Sequence, residues 1–173
     1  MDWSPLPGAI RQNGYVVRDL AAAIDEWLAI GVGPWIKLSA AAYPIEYRGS
    51  TIHPELEIAF ANSGELQIEL IQQLDAGPSI YREFLDAGHE GFHHLAWWAS
   101  DYDAFLAAAD VAGWTSVYGG DSGGVARFCY FDNTRSSSTC IEVMELNDMT
   151  GWMMNHVRQA AHDWDGSDPV RNL

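Results

Sequence analysis

The chain has 173 residues, of which 48% are hydrophobic, so it can bury one core and a single domain is expected. Nine basic residues stand against twenty-four acidic ones, and the net charge of −15 repels phosphate backbones and anionic bilayers, which argues against nucleic acid as a partner. The longest apolar runs fall far short of the roughly 20 residues of a spanning helix, so no membrane segment is expected.

Two segments of the chain repeat one pattern. QNGYVVRDLAAAIDEWLAIG, which begins at Gln12, and HLAWWASDYDAFLAAADVAG, which begins at His94, superpose without a gap. Asp19 and Asp101 occupy the same place in the repeat, where a carboxylate can cap the helix that follows. Each segment therefore predicts a strand followed by a helix.

Three predicted strands follow each helix, and the last one carries an inward carboxylate. Because strand side chains alternate between faces, Glu69 and Glu142 point away from the face that their apolar neighbours share with the helices. The modules span about residues 10–75 and 91–147. Their predicted strands are Trp35–Ala42, Leu56–Ala61 and Leu66–Gln72, then Thr115–Tyr118, Val125–Phe131 and Cys140–Leu146, with a hairpin loop at Asp132–Ser138.

Two further helices are predicted outside the modules. Residues 78–87 form a linker helix, and the tail, 150–173, begins with a helix from Thr150 to Trp164 and ends loosely in DGSDPVRNL. Because the tail helix has an apolar stripe, we expect it to pack on the outside of the sheet or on a second subunit, which would make a homodimer. The fold class is α+β, with two tandem βαβββ modules forming a curved mixed sheet around one cavity, plus a C-terminal helix.

Four polar residues occupy equivalent places in the two modules. If the modules pair by a pseudo-twofold, Gln12, Glu69, His94 and Glu142 converge. An imidazole, two carboxylates and an amide oxygen suit one divalent ion: zinc, nickel, cobalt, manganese or iron. The alternatives are a hydrogen-bonded structural histidine, solvent-facing glutamates and a glutamine bonded to backbone.

The sequence resembles the vicinal oxygen chelate superfamily, which includes glyoxalase I, extradiol dioxygenases and bleomycin-resistance proteins. The resemblance covers roughly Ile10 to Leu146 and is carried by NGYVVRDLAAAIDEW, LQIELIQQL with PSIYREFL, GFHHLAWWASD and CIEVMEL. Within the superfamily the chain is most similar to the branch that contains methylmalonyl-CoA epimerase. The resemblance implies a metal held by the same four residues that the repeat selects.

The resemblance also implies roles for neighbouring residues. Gln12 replaces a histidine common in the epimerases, although glutamine occurs there in some glyoxalase I enzymes. His93, next to His94, is expected to point to the other face. The acid/base glutamate of the epimerases aligns near His53, so His53 or Glu55 would have to replace it.

The function expected is that of a metal-dependent lyase or isomerase/epimerase. It would act on a small carbonyl/hydroxy substrate through a metal-stabilised enediolate, with Glu142, Glu69 and His53 as catalytic residues. One alternative is a ligand-sequestering protein of the bleomycin-resistance type. Another is a metal-dependent dioxygenase, which is less favoured because Gln12 replaces one of the two histidines that the dioxygenase pattern requires.

The cysteines and the first residues indicate a cytoplasmic location. Cys129 and Cys140 are most simply free thiols in a reducing compartment. MDWSPLPG lacks both the basic start and the apolar stretch of a secretion signal.

Overall fold

The computed structural model describes residues 6–39, 43–131 and 140–173. The first module consists of β1 (Gln12–Val16), α1 (Leu20–Ala29), β2 (Trp35–Ser39), β3 (Ile45–Tyr47), β4 (Ser50–Ile52), β5 (Leu56–Ser63) and β6 (Leu66–Gln73). The linker helix α2 (Ile80–Asp86) leads to the second module, which consists of β7 (Gly91–Ala99), α3 (Tyr102–Val111), β8 (Ser116–Asp121), β9 (Arg127–Phe131) and β10 (Cys140–Glu145). After it come α4 (Asp148–Ala161) and β11 (Val170–Asn172).

The strands form one curved, open sheet in which the two modules lie side by side. The order is β11-β2-β5-β6-β1-β7-β10-β9-β8-β3-β4. The first strands of the modules, β1 and β7, pair antiparallel at the centre, and each pairs in parallel with the last strand of its own module. This arrangement confirms the predicted fold of two βαβββ modules in a mixed sheet. The predicted hairpin loop Asp132–Ser138 and the end of the first predicted strand, 40–42, lie outside the described residues.

The repeated helix signals are also confirmed. Asp19 accepts a hydrogen bond from the backbone N–H of Ala22, and Asp101 accepts one from Ala104, each at 3.0 Å. Such caps satisfy donors that the first helical turn leaves unpaired. Both helices therefore begin where the repeat predicts.

Helices α1 and α3 cover the convex face of the sheet. Leu20 and Ile24 of α1 pack with Ile68 and Leu70 of β6, so the neighbours of Glu69 face the helix as expected. The corresponding cluster under α3 contains Val143, with Ile141 packed against it. Because alternate residues face opposite ways, Glu69 and Glu142 are left for the concave face.

The hairpin β3–β4 is a feature that the sequence did not predict. It belongs to the first module, yet β3 pairs with β8 of the second, with Ile45 opposite Gly120 and Tyr47 opposite Tyr118. Its strands have three residues each, too few to show a clear hydrophobic period. The pairing brings Ile45 to the concave side of the sheet, where it packs with Tyr118.

The C-terminal helix and tail differ from expectation. Helix α4 does not lie on the outer face: Val157 packs against Ile36 and Phe60, and Met154 lines the concave cavity. The segment predicted to be loose ends in β11, which pairs in parallel with β2 and so satisfies backbone groups that an edge strand would expose. None of the helices in the described ranges is long and apolar enough to cross a membrane.

Candidate metal centre

Three of the four predicted metal ligands converge on the concave face. Glu69 comes from β6, His94 from β7 and Glu142 from β10, and their ligand atoms all lie within 4.8 Å of one another. The Nε2 atom of His94 is 3.3 Å from Oε2 of Glu69 and 3.1 Å from Oε2 of Glu142. All three side chains are buried, with His94 fully inaccessible.

The same three atoms lack hydrogen-bond partners. Oε2 of Glu69, Nε2 of His94 and Oε2 of Glu142 are inaccessible, and none makes a hydrogen bond of acceptable geometry, although they are close to one another. Two buried carboxylates that share one imidazole are costly, whereas a divalent cation would compensate both. One nitrogen and two oxygens are also a donor set that fits zinc, nickel, cobalt, manganese or iron(II). These residues therefore fit a metal ion, and the ion would polarise a substrate oxygen as a Lewis acid.

Burial and neighbouring charges shift the pKa values of His94 and Glu69. Burial lowers the pKa of His94, but the neighbouring Glu142 and Glu69 carboxylates raise it more, to about 9. Burial raises the pKa of Glu69, the adjacent His94 lowers it, and the charge of Glu142 raises it further. Both effects arise because the three groups share one desolvated space.

Gly14 provides the space that the imidazole fills. It lies on β1 between the two ligand strands, opposite Glu69 on one side and His94 on the other. A β-carbon at Gly14 would lie 1.8 Å from Cε1 of His94. Gly14 was not among the site residues predicted from the sequence, although its position two residues after Gln12 places both on the same face of the strand.

Gln12 lies at the wall of the same cavity and is almost completely buried. Its Nε2 donates a hydrogen bond of 2.8 Å to Oε1 of Gln67, so its carbonyl oxygen is the atom that it could offer to a metal. Its ligation remains a prediction. Gln67, which holds the Gln12 amide, was missed, although it is two residues before Glu69 and alternation alone puts it on the inner face.

The prediction that His93 points away from His94 is wrong. Gly14 pairs with His94 but Tyr15 pairs with Phe92, so His93 is an extra residue in a β-bulge. The bulge sends Phe92 outward against Tyr15 and turns His93 inward, with 3.1 Å between the Nδ1 atoms of His93 and His94. His93 packs against Phe84 of α2, and burial lowers the pKa of His93 to about 3.

The structure does not bring His53 to this centre. His53 is exposed on the loop between β4 and β5, and Glu55 is exposed on the same loop. Only Pro54, between them, lines the cavity. This position gives no support to the predicted role of His53 in proton transfer.

The cavity next to the three ligands has a volume of about 200 Å³. Glu69 and Glu142 are the only carboxylates among the described residues that line it. Tyr130 also lines it, and its ring centre lies 5.0 Å from that of His94. Thr150 and two methionines of α4 close one side.

Comparison with known families gives one match. The model of the Glyoxalase/Bleomycin resistance protein/Dioxygenase superfamily matches residues 11–131, which is more than half of the chain. The chain belongs to this superfamily. The matched segment includes Gln12, Glu69 and His94 and ends before β10, the strand that carries Glu142. No curated protein matches the sequence.

Solved structures of the superfamily fold resemble the chain over most of its length. Methylmalonyl-CoA epimerase from Mycobacterium tuberculosis is 22% identical, with a TM-score of 0.60 over 88% of this chain and 96% of that one. A Streptomyces coelicolor methylmalonyl-CoA epimerase variant in complex with 2-nitronate-propionyl-CoA is 18% identical, with a TM-score of 0.57 over 81% and 95%. A hypothetical protein from Bacillus halodurans is 16% identical, with a TM-score of 0.60 over 81% of this chain and 95% of that one. At these identities the likeness shows a common fold.

Proposed function

We propose that the protein is a metal-dependent isomerase or epimerase acting on a small substrate with a carbonyl and a neighbouring hydroxyl group. The observation that carries this proposal is the convergence of three buried, unpartnered ligand atoms of Glu69, His94 and Glu142 at the wall of a cavity. A bound divalent ion would polarise the substrate carbonyl and make the adjacent C–H more acidic. A lyase reaction of the glyoxalase type would begin with the same proton removal.

The two glutamates are the groups that could move the proton. They come from β6 and β10, on opposite sides of the central pair β1 and β7, so their carboxylates approach His94 from different directions. Isomerisation at a carbon needs one group to take a proton and one to return it. We assign these roles to Glu69 and Glu142, since the described cavity wall offers no other carboxylate.

The structural neighbours support the same class of reaction. Several are methylmalonyl-CoA epimerases, and an epimerase is named for inverting the configuration at one carbon. The metal-dependent dioxygenase reading gains no support, because the converging group contains one histidine rather than two.

Hydrogen exchange with solvent tests the proposal directly. The metal-loaded protein is incubated in D₂O with acetoin and with phenylacetylcarbinol, two chiral α-hydroxy ketones, and deuterium at the carbinol carbon is followed by NMR. We expect exchange that disappears after chelation and in Glu142→Ala. Exchange no faster than in the chelated protein would contradict the proposal.

A ligand-sequestering protein is the second candidate. The observation in its favour is the apolar wall of the cavity, where Phe60, Phe128 and Met154 surround the acidic residues. Such a protein would bind these ketones without exchanging their protons. The same NMR samples therefore separate the two candidates.

A further inference from the structure

The cavity beside the three ligands is walled mainly by hydrocarbon. Its apolar side chains come from both modules and from α4, and they outnumber the polar side chains of the wall. Burial of matching apolar surface is what would hold a ligand there. Representative wall residues are Leu56, Ile58, Phe60, Phe128, Met153 and Met154.

No basic side chain lines this cavity among the residues that the structure describes. Basic groups on the nearby strands pair with carboxylates instead: Lys37 with Glu57 at 3.7 Å, and Arg127 with Glu145 at 2.8 Å. The chain has a net charge of −15, and no basic side chain on the described cavity wall could pair with the phosphates of a ligand that carries several of them. This lining therefore favours a ligand without phosphate groups in the cavity.

The cavity is also small. Its volume of about 200 Å³ lies below the ~300–1,000 Å³ that is usual for sites of drug-sized ligands. A molecule with one ring and a short oxygenated chain matches this volume better than a long acyl carrier does.

Tyr118 supplies a polar group away from the ligand atoms. Its side chain lines the cavity and is 1% exposed, and its hydroxyl makes no hydrogen bond of good geometry, although the neighbouring Tyr81 hydroxyl lowers its pKa. Burial raises the pKa of Tyr118 overall, so the hydroxyl stays protonated at neutral pH. A buried donor of this kind costs free energy until it finds an acceptor.

We propose that the site takes a neutral, largely apolar α-oxygenated molecule such as an aryl hydroxy ketone, and that the Tyr118 hydroxyl donates a hydrogen bond to it. This inference rests on the proposed function, because it assumes that the ligand's oxygens face Glu69, His94 and Glu142. It goes further in naming the substrate class and a residue that selects for it.

Binding is measured by isothermal titration calorimetry on metal-loaded protein with three probes. Phenylacetylcarbinol and acetoin share the hydroxy ketone and differ in a phenyl against a methyl group, and coenzyme A carries the phosphates. We expect phenylacetylcarbinol to bind about tenfold or more tightly than acetoin, because its ring buries more apolar surface. Coenzyme A should show no binding in the same range. Equal affinities of the two ketones, or tighter binding of coenzyme A, would overturn the inference.

A matched pair of variants tests the tyrosine. Tyr118→Phe should weaken phenylacetylcarbinol binding severalfold at unchanged metal content. Tyr47→Phe should leave binding unchanged, because the Tyr47 hydroxyl bonds to Glu83 outside the cavity. Equal affinity of Tyr118→Phe and the wild type would remove the hydrogen bond from the inference.

Repeating the titrations after chelation separates this inference from the proposed function. If the chelated protein still binds phenylacetylcarbinol more tightly than acetoin, and with the same affinity as the metal-loaded protein, the metal-dependent function fails while the substrate class stands. If metal binds and acetoin still exchanges its carbinol hydrogen, but phenylacetylcarbinol binds no more tightly than acetoin, the substrate class fails while the function stands.

Discussion

Gly14 and His94 face each other across β1 and β7 so closely that no β-carbon fits between them: an alanine Cβ at position 14 would lie 1.8 Å from Cε1 and 2.1 Å from Nε2 of the imidazole. Gly14→Ala must therefore move the ring, since packed interiors do not absorb such an overlap. We expect the variant to fold less stably and to lose most of its metal, measured by inductively coupled plasma mass spectrometry.

A second glycine provides the control for that substitution. A Cβ at Gly151 in α4 would meet only Leu146, at 3.8 Å, which is ordinary contact. Gly151→Ala should keep its metal and gain about 0.5–1 kcal/mol of stability, because glycine is unfavourable inside a helix. Equal metal content in Gly14→Ala and Gly151→Ala would show that the position of His94 does not control the site.

Chelation should destabilise the wild type but not a variant without the site. Metal bound only to the native state adds about 2.7 kcal/mol when free metal is a hundred times Kd, which corresponds to about 5–10 °C in Tm for a chain of this size. Glu142→Ala, which removes one of the two carboxylates, should lose its metal and show almost no shift with the same chelator. Equal shifts in both proteins, measured by differential scanning calorimetry, would place the metal elsewhere.

Substitutions at Gln12 test the fourth ligand. Gln12→His should retain metal, because imidazole suits the same borderline ions, whereas Gln12→Leu, which offers no donor, should bind it more weakly. The effect should be smaller than that of Glu142→Ala, since a neutral amide oxygen contributes less charge than a carboxylate. Competition with a chromogenic chelator gives the affinities. If Gln12→Leu binds metal as tightly as the wild type, Gln12 is not a ligand and its role is limited to the hydrogen bond with Gln67.

His53 is tested by separating turnover from metal content. A proton-transfer group would lower deuterium exchange when removed and leave the metal in place. Because His53 is exposed and outside the cavity wall, we expect His53→Ala to change neither quantity, like His89→Ala, which removes another exposed histidine. A selective loss of exchange in His53→Ala would instead assign it the acid/base role.

Much of the fold followed from the sequence because the two modules repeat local signals. Helix caps at Asp19 and Asp101, and alternation around Glu69, depend only on nearby residues, so both could be inferred from spacing. The convergence of Glu69, His94 and Glu142 followed once the modules were paired by symmetry.

The remaining features depend on long-range contacts. The orientation of His93 is set by a bulge against β1, which strict alternation cannot anticipate. The apolar stripe of α4 indicated that the helix packs against something, but not that it covers the concave face beside Phe60. The space opposite His94 at Gly14 appears only when strands β1 and β7 are in register.

The pairing of β3 with β8 means that the two halves of this protein do not fold as independent units, although they repeat in sequence. An isolated first half would leave β3 without its neighbour and expose an unpaired edge, a known template for aggregation. On the ribosome, the pairing of β3 with β8 must wait until the second half is synthesised, and closing so long a loop slows folding. Splitting the gene between the repeats should therefore give fragments that depend on each other for solubility.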